Sequence, residues 1–171
     1  MPKILILFIS LFVATDHLRS EQDIDSVTVY IFMAEECRIC QYYTPLLRNL
    51  YEGYNDHNIS FTGLFPNRHS SIETITKFKD EYDIPFPLKY EYFQTLTRKF
   101  EVRMTPEVVV YNESEKKIIY KGRIDNSYYR VGRKRRVITN HELKDVLERI
   151  QDGNYEPLPS KQPVGCFISL N

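Results

Sequence analysis

The chain has no tryptophan, three cysteines and six glycines in 171 residues. Charge of one sign is also missing, because 23 Lys and Arg balance 23 Asp and Glu. Nucleic-acid binding draws on a clustered positive field, so this balance removes the electrostatic case for it. A zinc site would need a second cysteine pair or histidines at ligand spacing. Only Cys166 remains outside the first pair, and His17, His57, His69 and His141 are scattered. Neither metal nor cofactor is therefore expected. Internal repeats and low-complexity segments are absent. The apolar run from Ile4 to Ala14 is too short for a confident spanning helix. Behind Met1-Pro2-Lys3 it has the length and positive flank of a signal peptide, so residues 1–20 read as an export leader or N-terminal anchor. The alternative is a buried first strand.

What is present suits one globular domain: 42% apolar and 27% charged residues, in a chain long enough for one core and short for two. It is organised around one stretch. Val27-Thr-Val-Tyr-Ile-Phe-Met33 is apolar and β-branched, Glu35-Glu36-Cys37-Arg38-Ile39-Cys40 follows, and residues 41–54 have helical periodicity. A strand end feeding a helix start places both cysteines at the helix's first turn. Unpaired N–H groups and partial positive charge there favour a thiolate. A thiolate beside a second thiol meets the need of disulfide exchange: one sulfur attacks and the other resolves. Arg38 favours the thiolate by charge, whereas Glu35 and Glu36 oppose it.

Along the chain, the helix ending at Tyr54 carries Tyr43, Leu46, Leu47, Leu50 and Tyr54 on one face, with Pro45 expected to kink it. Ile59 to Phe65 reads as a second strand parallel to the first, completing a βαβ unit. Ser70 or Ser71 caps a helix to about Tyr82, with Ile72, Ile75, Phe78 and Tyr82 inward. Leu88 to Tyr90 is a short strand, and Tyr92 to Phe100 a brief helix with Phe93, Leu96 and Phe100 inward. Val108–Tyr111 and Lys117–Lys121 flank Asn112-Glu-Ser-Glu as a hairpin. Thr139-Asn-His-Glu142 has the form of a capping box opening a last helix, with Leu143, Val146, Leu147 and Ile150 inward and Gly153 at its end. The domain spans residues 25–153, and residues 154–171 form a C-terminal tail.

Met104-Thr105-Pro106-Glu107 sets a proline just ahead of the strand Val108-Val-Val-Tyr111. Together with Cys37, Cys40, Pro45 and the element order, this resembles the thioredoxin-like superfamily. The resemblance implies an α/β fold with a central mixed β-sheet flanked by helices. It further implies Cys37 as the attacking thiol, Cys40 as the resolving thiol and a redox-active Cys37–Cys40 disulfide. Thr105 and Pro106 become a cis-proline turn that receives the substrate backbone. The helical stretch 70–100 resembles the insertion of redoxins of the AhpC/TSA and TlpA-like types. Gly122-Arg-Ile-Asp-Asn126, Gly132-Arg-Lys-Arg-Arg136 and Pro163-Val-Gly-Cys-Phe-Ile168 resemble a subgroup of exported bacterial redoxins.

The departures are specific. Thioredoxins usually carry a tryptophan where Glu36 stands. Peroxiredoxins place a threonine three residues before their reactive cysteine, where this chain has Ala34. In the exported redoxins that the chain resembles, serine often stands where Cys40 does, so Cys40 restores a second thiol that those relatives lack. Cys166 admits three readings: an inert thiol, a structural partner or a third redox thiol. The basic cluster from Arg130 to Arg136 is a solvated loop, or else docks an acidic partner or headgroups. Tyr42 lines either the core edge or the groove, and nothing brings Asp125 to the thiols. The expected function is thiol–disulfide exchange on protein disulfides or dithiols with a redox partner protein, in a periplasmic or extracellular setting. Membrane contact would come only through an uncleaved N-terminal segment. The alternatives are a thiol peroxidase and a non-catalytic binding module.

Overall fold

The computed structural model describes residues 26–55 and 58–170. The leader reading of residues 1–20 lies outside them, as do His17 and His57. Among the described residues no helix is long and apolar enough to cross a membrane.

The near-continuous apolar run forms β1 (Val27–Phe32), followed by α1 (Arg38–Tyr54) and β2 (Ile59–Phe65). β1 and β2 pair in parallel from Val27 opposite Ile59 to Phe32 opposite Leu64, which is the βαβ unit. Then come α2 (Ile72–Glu81), β3 (Leu88–Tyr90), α3 (Thr95–Lys99), β4 (Met104–Thr105), β5 (Glu107–Asn112) and β6 (Lys117–Gly122). A short ribbon of β7 (Tyr128–Arg130) and β8 (Arg133–Lys134) precedes α4 (Glu142–Gln151), and β9 (Cys166–Phe167) lies in the tail. The main sheet runs β3-β2-β1-β5-β6, with β1, β2 and β3 mutually parallel and β5 and β6 antiparallel.

The pleat alternates side chains between two cores. Val29, Ile31, Phe61, Val108 and Val110 face Leu47 and Leu50 of α1, Ile75 and Phe78 of α2, and Leu143, Val146, Leu147 and Ile150 of α4. Phe32, Leu64, Val109 and Tyr111 face the other way, toward Phe100, Val102 and Ile168 of the tail.

α1 runs unbroken through Pro45. Proline supplies no N–H to the Gln41 carbonyl, and the Thr44 hydroxyl donates to that carbonyl instead at 2.9 Å. α2 opens on Ser71, whose side chain and that of Thr74 form a reciprocal capping box.

Three local expectations are corrected. Ile72 is 78% exposed, because the first turn of α2 stands in solvent with its cap. Phe93 is 81% exposed, and α3 covers only Thr95–Lys99. Gln94 takes the buried place, its amide donating to the Pro66 and Ser169 carbonyls. Thr139 does not cap α4, whose N-cap is His141 with no side-chain cap bond. Instead Asn126 Nδ2 donates to Thr139 Oγ1 and Asn140 Oδ1, and Glu142 accepts from the Arg123 guanidinium.

Candidate functional site

The strand-to-helix junction delivers Cys37 to the N-cap of α1 with extended backbone, φ −78° and ψ 107°. Cys40, one turn on, faces inward and is fully buried, and Cys37 itself is only 1% exposed. Opposite them the Thr105–Pro106 peptide is cis. The Thr105 carbonyl lies 3.4 Å from Cys37 Sγ, as acceptor for its thiol form.

The backbone edge just before that cis-proline is already paired. β9 runs antiparallel to β4, with Cys166 opposite Thr105 and Phe167 opposite Met104. The pairing sets Cys166 Sγ 2.8 Å from Cys37 Sγ. Gly165 makes this approach possible: a Cβ there would lie 1.9 Å from the Thr105 carbonyl oxygen and 2.6 Å from its carbon. Further back the tail docks on the edge of β6. The Lys161 N–H donates to the Lys121 carbonyl, and the Arg123 N–H donates to the Lys161 carbonyl. Gly122, at φ +148°, leaves that space, since a Cβ would stand 2.2 Å from the Lys161 oxygen. Beyond the cysteine, the Ile168 N–H donates to the Arg103 carbonyl and its side chain enters the second core.

All three cysteines are free thiols. Hydrogen bonding from Cys40 is the largest influence on Cys37 and drives its pKa down. Burial opposes that, while Cys166 and the N–H groups of Cys40 and Ile39 assist, without closing a side-chain cap of normal geometry. The result falls from the ordinary 9.0 to about 5. Burial, then the bond to Cys37 and its charge, push Cys40 well above its ordinary value. The same causes push Cys166 up to about 12. The cluster therefore holds one negative charge, shared by three sulfurs and centred on Cys37.

The charged neighbours singled out in the sequence do not set this balance. Glu35 turns toward α2, accepting from Ser70 Oγ and Thr74 Oγ1 at 2.7 Å each, while Glu36 and Arg38 are exposed. Asp125 accepts from the Tyr43 hydroxyl and the Ser127 N–H, and lines a small cavity with Pro106 and Val164. Tyr42 packs edge-to-face against Tyr43 and Tyr128 beneath the Lys134 ammonium, at the edge of the core. The other basic residues from Arg130 to Arg136 are exposed.

Cys37, Cys40, Thr105, Pro106 and Cys166 thus converge on one locus. Sequence reading missed Gly165 and Gly122 as the two docking points of the tail. Their only signal was a glycine beside a cysteine, and another closing a strand.

A family model described as thioredoxin-like matches residues 25–118, more than half of the chain. An uncharacterized conserved protein from Geobacillus kaustophilus is 24% identical, covering 86% of this chain and 78% of its own, with a TM-score of 0.74. A hypothetical protein from Sinorhizobium meliloti 1021 is 16% identical over 86% of this chain and 81% of its own, with a TM-score of 0.71. A structure from Chlorobium tepidum, provisionally described as thiol:disulfide interchange protein DsbE, is 15% identical over 57% of this chain and 67% of its own, with a TM-score of 0.50. No curated protein matches the chain. Sheet order, the helix-capping cysteine opposite a cis-proline, and the family match agree, and the chain belongs to the thioredoxin-like family.

Proposed function

We propose that the protein is a thiol–disulfide oxidoreductase in which Cys37 attacks and Cys40 resolves. The observation that carries this reading is the placing of Cys37: its sulfur stands at the N-cap of α1, one turn from the buried Cys40 and 3.4 Å from the carbonyl that precedes cis-Pro106. Family membership and the likeness to the Chlorobium protein support the same class of chemistry.

In the reducing direction the Cys37 thiolate attacks one sulfur of a disulfide presented at the Thr105–Pro106 turn. A Cys37–substrate bond forms, and the other substrate sulfur leaves as a thiolate. That step consumes the charge on Cys37, which is one cause of the raised Cys40 pKa. Cys40 then gives up its proton more readily, attacks Cys37 Sγ and releases the second substrate thiol. The buried resolving thiol stays protonated until it is needed. Thr105 and Pro106 are the proposed contact for the substrate backbone. An export leader at residues 1–20 would bring this chemistry to a compartment where disulfides persist.

Insulin reduction with dithiothreitol as electron source tests the reading. Wild type should accelerate precipitation of the insulin B chain, and Cys37→Ser should reduce the rate at least a hundredfold. With both neighbouring thiols replaced, the double variant Cys40→Ser, Cys166→Ser should accumulate a mixed disulfide through Cys37. Unchanged activity in Cys37→Ser would sink the assignment.

A further inference from the structure

We propose that Cys166 is the thiol through which the Cys37–Cys40 pair meets its external partner, the tail strand acting as a built-in substrate strand. The inference rests on the exchange reading above and names the route by which that site is reached.

Access is the first argument. Cys37 is 1% exposed and Cys40 fully buried, so a protein disulfide cannot approach either sulfur while the tail is docked. Cys166 is exposed, yet its sulfur lies 2.8 Å from Cys37 Sγ. It is the member of the cluster that touches both the buried pair and the solvent.

Construction is the second argument. An exposed cysteine in a loose tail would sample many positions, but this one is held on both sides. Gly165 lies flat on the Thr105–Pro106 peptide, Ile168 is buried beneath the sheet, and β9 pairs with the β4 edge at a defined register. Extended peptides add to sheet edges in this way, main-chain bonds giving affinity and alternate side chains giving aim. Here the added strand belongs to the same chain, and the side chain aimed at Cys37 is a thiol.

The exchange balances without an added oxidant. Starting from the Cys37–Cys40 disulfide, the Cys166 sulfur attacks Cys37 Sγ. The Cys37–Cys166 bond forms, the Cys37–Cys40 bond breaks, and Cys40 takes up the proton that Cys166 loses. A thiolate of an external protein dithiol then attacks Cys166 Sγ, and Cys37 leaves. Cys37 is the better leaving group of the two, since a low-pKa thiol leaves faster. The partner's second thiol displaces Cys166. The partner ends as a disulfide, Cys37 and Cys40 as thiols, and two electrons have entered the buried pair. Run backwards, the same steps reduce a partner disulfide.

The test compares full-length wild type, Cys166→Ser and Cys40→Ser. Oxidised glutathione added to Cys40→Ser, followed by acid quench and non-reducing peptide mapping, should yield an intramolecular Cys37–Cys166 disulfide. Insulin reduction by Cys166→Ser should be at least tenfold slower than by wild type, although its Cys37–Cys40 couple still titrates in glutathione buffers. Cys166→Ser working as fast as wild type, or faster, would overturn the route and make the tail a cover. So would glutathione trapped on Cys37 with no Cys37–Cys166 bond. Loss of the Cys37–Cys40 couple itself would instead overturn the exchange reading on which the route rests.

Discussion

Cys37 holds its charge where almost no water reaches it, so its neighbours must do what solvent would otherwise do. Two thiols point at its sulfur and helix N–H groups stand behind it. Thiolate ultraviolet absorbance of the reduced protein should therefore titrate with a midpoint near 5. Cys40→Ala should raise that midpoint more than Cys166→Ala, because Cys40 is the larger of the two influences. A result in the opposite order would mean that the tail thiol is the main stabiliser. The same shift sets a stability profile. A pKa lowered on folding means that the folded chain binds fewer protons than the unfolded chain between the two values, so stability rises with pH there. The gain from Cys37 builds from about pH 5 and is complete above its ordinary value of 9.0. Above that, the unfolded chain ionises all three thiols, while Cys40 and Cys166 stay protonated in the fold, and stability falls. Urea unfolding under reductant should show reduced wild type gaining about 1–3 kcal/mol over Cys37→Ser between pH 5 and pH 8.5. A flat difference would show that the thiolate is not stabilised by the fold. At this scale Cys37, Cys40 and Pro106 were legible because their signals are local: a spacing, a helix start, a proline before a strand. The cause of the thiolate's stability was not, since it lies in sulfur neighbours rather than in the adjacent charges of Glu35, Glu36 and Arg38.

Elements with several turns or a full apolar alternation declared themselves: β1, β2, α1, α4 and the β5–β6 hairpin follow the sequence periodicity. Short elements did not. α3 has five residues and starts from a left-handed Gln94, so the apolar spacing of Phe93 and Leu96 described a longer helix than the chain makes. Thr139 and Asn140 have capping chemistry, but Asn126 takes it up to tie the approach of α4 to the loop after β6. The tail is the least legible, because β9 has two residues and its partner is more than 60 positions away. Its docking rests on glycine at two places. Gly165→Ala would drive a methyl group into the Thr105 carbonyl, and backbone cannot yield as a flexible side chain would. We expect the tail to lift, giving at least tenfold faster alkylation of Cys37 by iodoacetamide. The stability loss should be of order 2 kcal/mol, the scale of withdrawing Ile168 from the core. Gly122→Ala meets the Lys161 backbone and a φ that disfavours any Cβ, so it should expose Cys37 in the same way. Gly132, at φ +72° with open space around it, is the control. Gly132→Ala should leave the alkylation rate unchanged, and a similar increase in all three variants would show general loosening rather than release of the tail.

Taken as a whole, the chain offers Cys37 two partners at opposite extremes of loop length. Cys40 is three residues away, whereas Cys166 is 129 positions along the sequence. A cross-link stabilises mainly by restricting the unfolded chain, and the effect grows with the loop it closes. A Cys37–Cys40 bond therefore adds little to the stability of the domain. A Cys37–Cys166 bond ties the start of α1 to the tail and encloses most of the described chain, and a loop of more than 100 residues is worth about 4–5 kcal/mol. Against this stands the loss of the Cys37 thiolate. That loss is smallest in Cys40→Ala, where the main donor to the thiolate is already gone. Oxidised Cys40→Ala should accordingly melt about 10 °C or more above the same variant held reduced. Wild type oxidised only at Cys37 and Cys40 should melt close to its own reduced form. The comparison separates a tail built to bond from a tail that merely rests on the site. If closing the Cys37–Cys166 bond lowered the melting temperature, the docked strand would have to distort to reach Cys37. Its register on β4 would then belong to the packing of the tail and not to the chemistry of the three thiols.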